Sequence, residues 1–101
     1  MTLSLFITPE AQQDVDGIAE CLEERNAPAA RRFLRAVGKT VEMLLHNPDL
    51  GEWLHCDPSK QIRYRTVLDF RNYLIFYRRV DSILEIVRVL HGARDYVQFF
   101  D

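Results

Sequence analysis

The stretch NYLIFYRRVDSILEIVRVL, residues 72–90, decides how this chain folds. Its first part, NYLIFYRR, is aromatic and branched throughout, the composition of a central strand covered on both faces. Its last part, ILEIVRVL, reads as a second apolar strand whose alternation puts Glu85 and Arg88 on opposite faces. Only VDS, residues 80–82, separates them, so they are antiparallel neighbours across a tight turn. Upstream, QIRYRTVL (residues 61–68) alternates Ile62, Tyr64, Thr66 and Leu68 with Arg63, Arg65 and Val67. It completes a three-stranded antiparallel meander.

The first half of the chain changes period. TLSLFIT sets Leu3, Leu5 and Ile7 against Ser4 and Phe6, an N-terminal strand. TPEAQQDVDGIAECLEER then starts a helix with Thr8 as N-cap and Pro9 at the first helical position. Glu10 and Asp14 put negative charge near the positive end of its dipole, and Ala11, Val15, Ile18 and Leu22 form one apolar stripe. NAP ends this helix, and Pro28 begins another with the stripe Phe33, Leu34, Val37, Val41, Leu44 and Leu45, stopped at Asn47-Pro48. So short a link makes the pair an antiparallel helical hairpin, the acidic first helix facing the basic start of the second (Arg31, Arg32, Arg35, Lys39). PDLGEWLHCDPSK reads as a loop that Trp53 and Leu54 tack to the core.

These elements predict an α+β fold in one domain, residues 1–101. Hydrophobic residues make up 48% and charged residues 28%, a globular balance with no call for disorder. No apolar run reaches the roughly 20 residues of a membrane span, and a signal segment is missing from the N-terminus. Cys21 and Cys56 show no motif spacing, which fits a reduced, cytoplasmic protein without a membrane partner. The net charge of −2 is unevenly spread: residues 1–59 hold five basic and ten acidic side chains, residues 60–101 eight and five. That asymmetry hints at a charged partner.

The common catalytic motifs are missing: no glycine-rich phosphate loop, no paired-cysteine spacing, no G-x-S-x-G elbow. His55, Cys56 and Asp57 are adjacent and cannot converge on one ion unaided, so neither a metal nor another cofactor is expected. The better constellation is arginine-based: Arg63, Arg65, Arg71, Arg78, Arg79, Arg88 and Arg94 lie on the predicted sheet or its ends. A guanidinium keeps its charge and forms planar forks with phosphate or carboxylate. Interleaved aromatics (Tyr64, Phe70, Tyr73, Phe76, Tyr77, Tyr96) serve base stacking in one reading and the core in the other. His91 reads first as a hydrogen-bonded strand end, with proton transfer as the alternative.

With these pieces in order, the chain resembles the RelE/ParE superfamily of bacterial toxins from type II toxin–antitoxin, or plasmid stabilisation, modules. The opening TPEA…D, the end NPDLG of the second helix, and IVRVLHGARD carry the resemblance, which spans nearly the whole chain. It implies a two-layer RelE/ParE-like fold, the hairpin covering one face of the sheet. RelE-like members are ribosome-dependent, metal-independent mRNA endoribonucleases, whereas ParE-like members poison DNA gyrase without a catalytic set. Both are held inactive by a cognate antitoxin, commonly in a hetero-oligomer.

Cleaving RNA through its own 2′-hydroxyl needs a base, an acid and fixed positive charge at the phosphate. Arg63, Arg65, Arg78 or Arg88 would supply the charge and His91 or Tyr96 the proton transfer. A protein entering the ribosome is usually strongly basic, yet the sequence pI is near 5.9. The wording NYLIFYR…HGARD also leans to ParE, so the expectation is a non-enzymatic, ParE-like toxin acting on gyrase. An endoribonuclease acting on ribosome and mRNA, or a non-toxic antitoxin binder, are the alternatives. Arg63, Arg65, Arg71, Arg78, Arg88, His91, Arg94, Phe99 and Phe100 are the expected partner-binding residues. In that reading Gly92 lets the chain turn sharply, and Arg94 and Asp95 fix a tail that offers Phe99 and Phe100 as apolar anchors.

Overall fold

Thr8 fixes the way into the helical layer. In the computed structural model, which describes residues 3–54 and 61–92, strand β1 (Ser4–Ile7) runs into helix α1 (Pro9–Arg25). The Thr8 hydroxyl accepts the Ala11 N–H at 3.0 Å and donates to the Val87 carbonyl at 2.8 Å. One side chain thus caps the helix and ties its first turn to a strand far along the chain. Asn26 closes α1 and opens α2 (Ala27–His46): its N–H meets the Leu22 carbonyl at 2.7 Å, and its side chain accepts the Ala29 N–H at 3.2 Å.

The helices meet through apolar side chains. Ala11, Val15, Ile18 and Leu22 share one core with Phe33, Val37, Val41, Leu44 and Leu45. Among the described residues no ion pair joins α1 to α2, so the expected charge pairing is not what holds the hairpin. Leu34 leaves the predicted stripe and is exposed, while Ala30, Ala36 and Thr40 are buried in its place.

After α2 the chain forms a 3₁₀ turn (Pro48–Leu50) and β2 (Glu52–Trp53), then β3 (Arg63–Val67), β4 (Phe70–Val80) and β5 (Ile83–His91). The sheet order is β1-β5-β4-β3-β2, with β1 parallel to β5 and the other pairs antiparallel. The predicted meander is present, and part of the predicted loop is the short strand β2. Both hairpin turns put an aspartate in the left-handed region, Asp69 at φ 67 and Asp81 at φ 55, a conformation aspartate tolerates better than most residues.

Two irregularities reset the alternation. In β5, Arg88 pairs with Phe76 and Ile86 with Tyr77, so Val87 is an extra residue. That bulge returns Arg88 to the face of Glu85, which pairs with Arg78, and strict alternation fails there. In β3–β4, Thr66 pairs with Leu74 but Val67 with Phe70. Arg71, Asn72 and Tyr73 therefore bulge past the end of β3.

β4 is buried on both faces, as its composition predicts. Ile75 and Tyr77 join Val67, Leu84, Ile86 and Val89 under the helices, while Phe76 packs with Ile62 and Leu90 on the far side. None of the described helices is long and apolar enough to cross a membrane.

Candidate functional site

The arginines of the sheet are the natural place to look, and most of them are engaged inside the molecule. Arg63 and Arg65 share with Val67 the face of β3 that looks toward the helices, because their strand partners Tyr77 and Ile75 point there. What they meet is the turn NPDLG. Arg63 donates to the Gly51 carbonyl at 2.9 Å and lies 3.5 Å from the exposed Asp49 carboxylate. Its guanidinium also sits 3.8 Å over the Trp53 ring. Arg65 reaches the Leu50 carbonyl at 3.4 Å. Trp53, expected to anchor a loop in the core, is instead exposed and covered by this arginine.

Tyr77 completes the enclosure. Its hydroxyl accepts the Gly51 N–H and donates to the Pro48 carbonyl, both at 2.8 Å. Burial pushes this hydroxyl above the ordinary tyrosine value of 10.0, against a smaller downward pull from the Gly51 N–H. A Cβ at Gly51 would overlap the Tyr77 hydroxyl and lie 2.7 Å from the Tyr64 carbonyl oxygen. The glycine of NPDLG is therefore a close-approach glycine. The motif is the seat of a polar lock between the end of α2 and the middle of the sheet.

Arg88 is committed to the helical layer. Its Nε and Nη2 donate to the two carboxylate oxygens of Asp14 at 2.7 and 2.8 Å, and the same carboxylate accepts the Val89 N–H at 3.1 Å. Asp14, expected to answer the helix dipole, thus serves the far end of the sheet. Arg78 forms a bidentate pair with Glu85, its cross-strand partner, at 3.0 and 3.2 Å. The open guanidinium face expected from the sequence is therefore not present for Arg63, Arg65 and Arg88. Each finds a carboxylate or carbonyl that only the fold brings near. Arg71 is exposed at its bulge, with no partner among the described residues.

His91 ends β5 opposite Tyr73, the two rings edge to face at 5.4 Å. Its Nδ1 is buried and has no hydrogen-bond partner among the described residues. Gly92 donates its N–H to the Asn72 carbonyl at 2.8 Å without adopting a positive φ. A Cβ there would lie 3.0 Å from a Leu74 methyl, so crowding rather than a left-handed turn favours glycine. Arg94, Phe99 and Phe100 lie outside the described residues, as do His55, Cys56, Asp57 and Tyr96.

Against this geometry, a family model described as the ParE toxin of the type II toxin–antitoxin system, parDE, matches residues 5–96. The chain belongs to the ParE toxin family. Among solved structures, a chromosomal ParDE toxin–antitoxin system from P. aeruginosa has the same fold, with a TM-score of 0.73 at 19% identity. The match covers 89% of this chain and 96% of that one. No curated protein matches the chain. In this ParE-family member the three motifs behind the resemblance fall on its long-range fastenings. TPEA…D supplies Thr8 and Asp14, NPDLG supplies the turn locked by Tyr77, and IVRVLHGARD supplies the bulge and Arg88.

Proposed function

We propose that this ParE-family chain acts on DNA gyrase, is silenced by a cognate antitoxin in a hetero-oligomer, and does not cleave RNA. The state of the arginines supports this most directly. RNA cleavage as read from the sequence would need Arg63, Arg65, Arg78 or Arg88 free to hold a phosphate in place. Here Arg88 is bound to Asp14, and Arg63 is bound to the 48–51 turn. The acidic balance of the chain points the same way, since a ribosome presents dense negative charge.

The antitoxin has a suitable landing strip. β1 is an edge strand among the described residues, and Leu5, Ile7 and Leu34 remain substantially exposed beside it. They line an apolar groove of about 300 Å³ between β1 and the hairpin. An extended segment added to β1 would fill that groove with its inward side chains. Arg71, Arg78, His91, Arg94, Phe99 and Phe100 are the remaining proposed partner contacts from the sequence.

The decisive experiment expresses the chain alone and with its antitoxin, then runs a gyrase cleavage assay beside an assay of mRNA ends on translating ribosomes. Stalled gyrase–DNA breaks without new mRNA ends are expected. New mRNA ends with untouched gyrase would establish the endoribonuclease reading, and normal growth on induction a non-toxic antitoxin binder. Deleting residues 97–101 tests the tail: a loss of antitoxin affinity is expected, and unchanged binding removes Phe99 and Phe100 from the contact.

A further inference from the structure

Among the described residues, a row of exposed cations lies on α2. Arg32, Arg35 and Lys39 follow one another on one side of the helix at spacings of three and four. They line a groove of about 530 Å³ whose opposite wall is the β3–β4 turn, with Leu68, Asp69 and Phe70. Among the described residues none of the three has an ion-pair or hydrogen-bond partner. From Arg32 to Lys39 is two helical turns, roughly 10 Å at 1.5 Å per residue.

This groove runs into a mainly apolar one of about 560 Å³, which shares Lys39 and Leu68, adds Met43 and Leu50, and is edged by Glu42, His46 and Asn47. Met43 and Leu68 are 39% and 42% exposed. The two walls are pinned together: the buried Thr40 hydroxyl donates to the Ala36 carbonyl at 2.7 Å and accepts the Leu68 N–H at 3.0 Å. A ligand would meet a prepared channel, with little ordering left to do on binding.

We propose that this channel is a docking site for an acidic, amphipathic polypeptide segment. Its carboxylates would fork onto Arg32 and Arg35 and meet Lys39, and its apolar side chains would cover Met43, Leu50 and Leu68. The apolar half distinguishes a polypeptide from a nucleic acid. A phosphate backbone would use the cations but leave Met43 and Leu68 bare. Asp69 at the rim adds a selective element, repelling segments that are acidic along their whole length. The site is separate from the edge-strand groove proposed for the antitoxin and does not depend on the toxin having a particular target.

The test selects 12-residue peptides from a random display library against the purified chain, then measures their affinity by fluorescence polarisation. Recovered peptides should be net negative with at least two large apolar residues. Their affinity should fall at least tenfold for Arg32→Glu/Arg35→Glu/Lys39→Glu, several-fold for Leu68→Ser, and steeply with salt. These side chains are exposed, and a thermal melt of each variant confirms that it folds. Neutral peptides, or binding indifferent to the charge reversal, overturn the proposal. So does a DNA oligonucleotide that binds tighter than any peptide, loses affinity on charge reversal and ignores Leu68→Ser. Sedimentation showing self-association abolished by the reversal would also overturn it, assigning the groove to the acidic α1 of a second copy.

Discussion

Asp14 and Arg88, 74 positions apart, form a two-point ion pair between α1 and β5, with side chains only 13% and 20% exposed. The same carboxylate accepts the Val89 N–H immediately after the bulge. One acidic side chain thus fastens the helix to the strand, neutralises the arginine and satisfies a backbone donor that β1 ends too soon to reach.

Asp14→Ala should therefore destabilise the protein by about 3 kcal/mol, because it removes the carboxylate paired with a largely buried guanidinium and the acceptor of the Val89 amide. Replacing both residues with apolar side chains, Asp14→Leu with Arg88→Met, should cost less than the two single changes added together. Urea denaturation of the four proteins gives the coupling, expected at about 1–3 kcal/mol. Strict additivity would show the pair to be energetically idle.

Tyr77→Phe removes the group that serves both Gly51 and Pro48, and should cost about 1–3 kcal/mol. It should also change the alkaline limb of stability. The hydroxyl is raised in the folded state, so above the ordinary tyrosine value of 10.0 the unfolded chain loses its proton first and the folded state retains it. Stability is then full below that pH and declines as pH rises through and beyond it. Thermal melts between pH 8 and about 11 should show a shallower decline for Tyr77→Phe than for the wild type.

Gly51→Ala should be worse than a loop substitution normally is. The added methyl competes with the Tyr77 hydroxyl for space and presses on the Tyr64 carbonyl. A loss of about 2 kcal/mol or more is expected from such crowding. The double change Gly51→Ala with Tyr77→Phe should recover part of it, since removing the hydroxyl opens the space. A double variant no better than the single would place the clash elsewhere.

Thr40→Val keeps the shape of a buried side chain and deletes its hydroxyl. The Leu68 N–H then loses its acceptor, at about 1–3 kcal/mol. Hydrogen exchange at Leu68 should accelerate in this variant while amides in the centre of β4 change only with global stability.

The helical hairpin and the meander were legible in the sequence because they rest on short-range signals, whereas the parallel pairing of β1 with β5 and the short strand β2 were not. Thr8-Pro9 and Asn26 act within one turn of their own helices, and the double-sided burial of β4 follows from its run of large apolar residues. The site was legible in part. The arginines of β3 were placed on the correct side of their strand relative to Ile62 and Tyr64. Their partners were not foreseen, nor was the role of Gly51, although a glycine following a 3₁₀-prone PDL turn was a usable signal. The parity of Arg88 failed because a one-residue bulge inverts every position after it and leaves no mark in the pattern of apolar residues.

The amino-acid sequence by itself determined the helices and the meander, since periodicity and capping depend on neighbours a few positions away, and three of its motifs carried the resemblance to the toxin superfamily. Tertiary structure alone decided which charges are available to a partner. Arg63 meets Gly51, Arg88 meets Asp14, and Arg32, Arg35 and Lys39 are left facing a groove. A guanidinium binds the nearest suitable oxygen, and which oxygen is nearest is set by how distant segments pack.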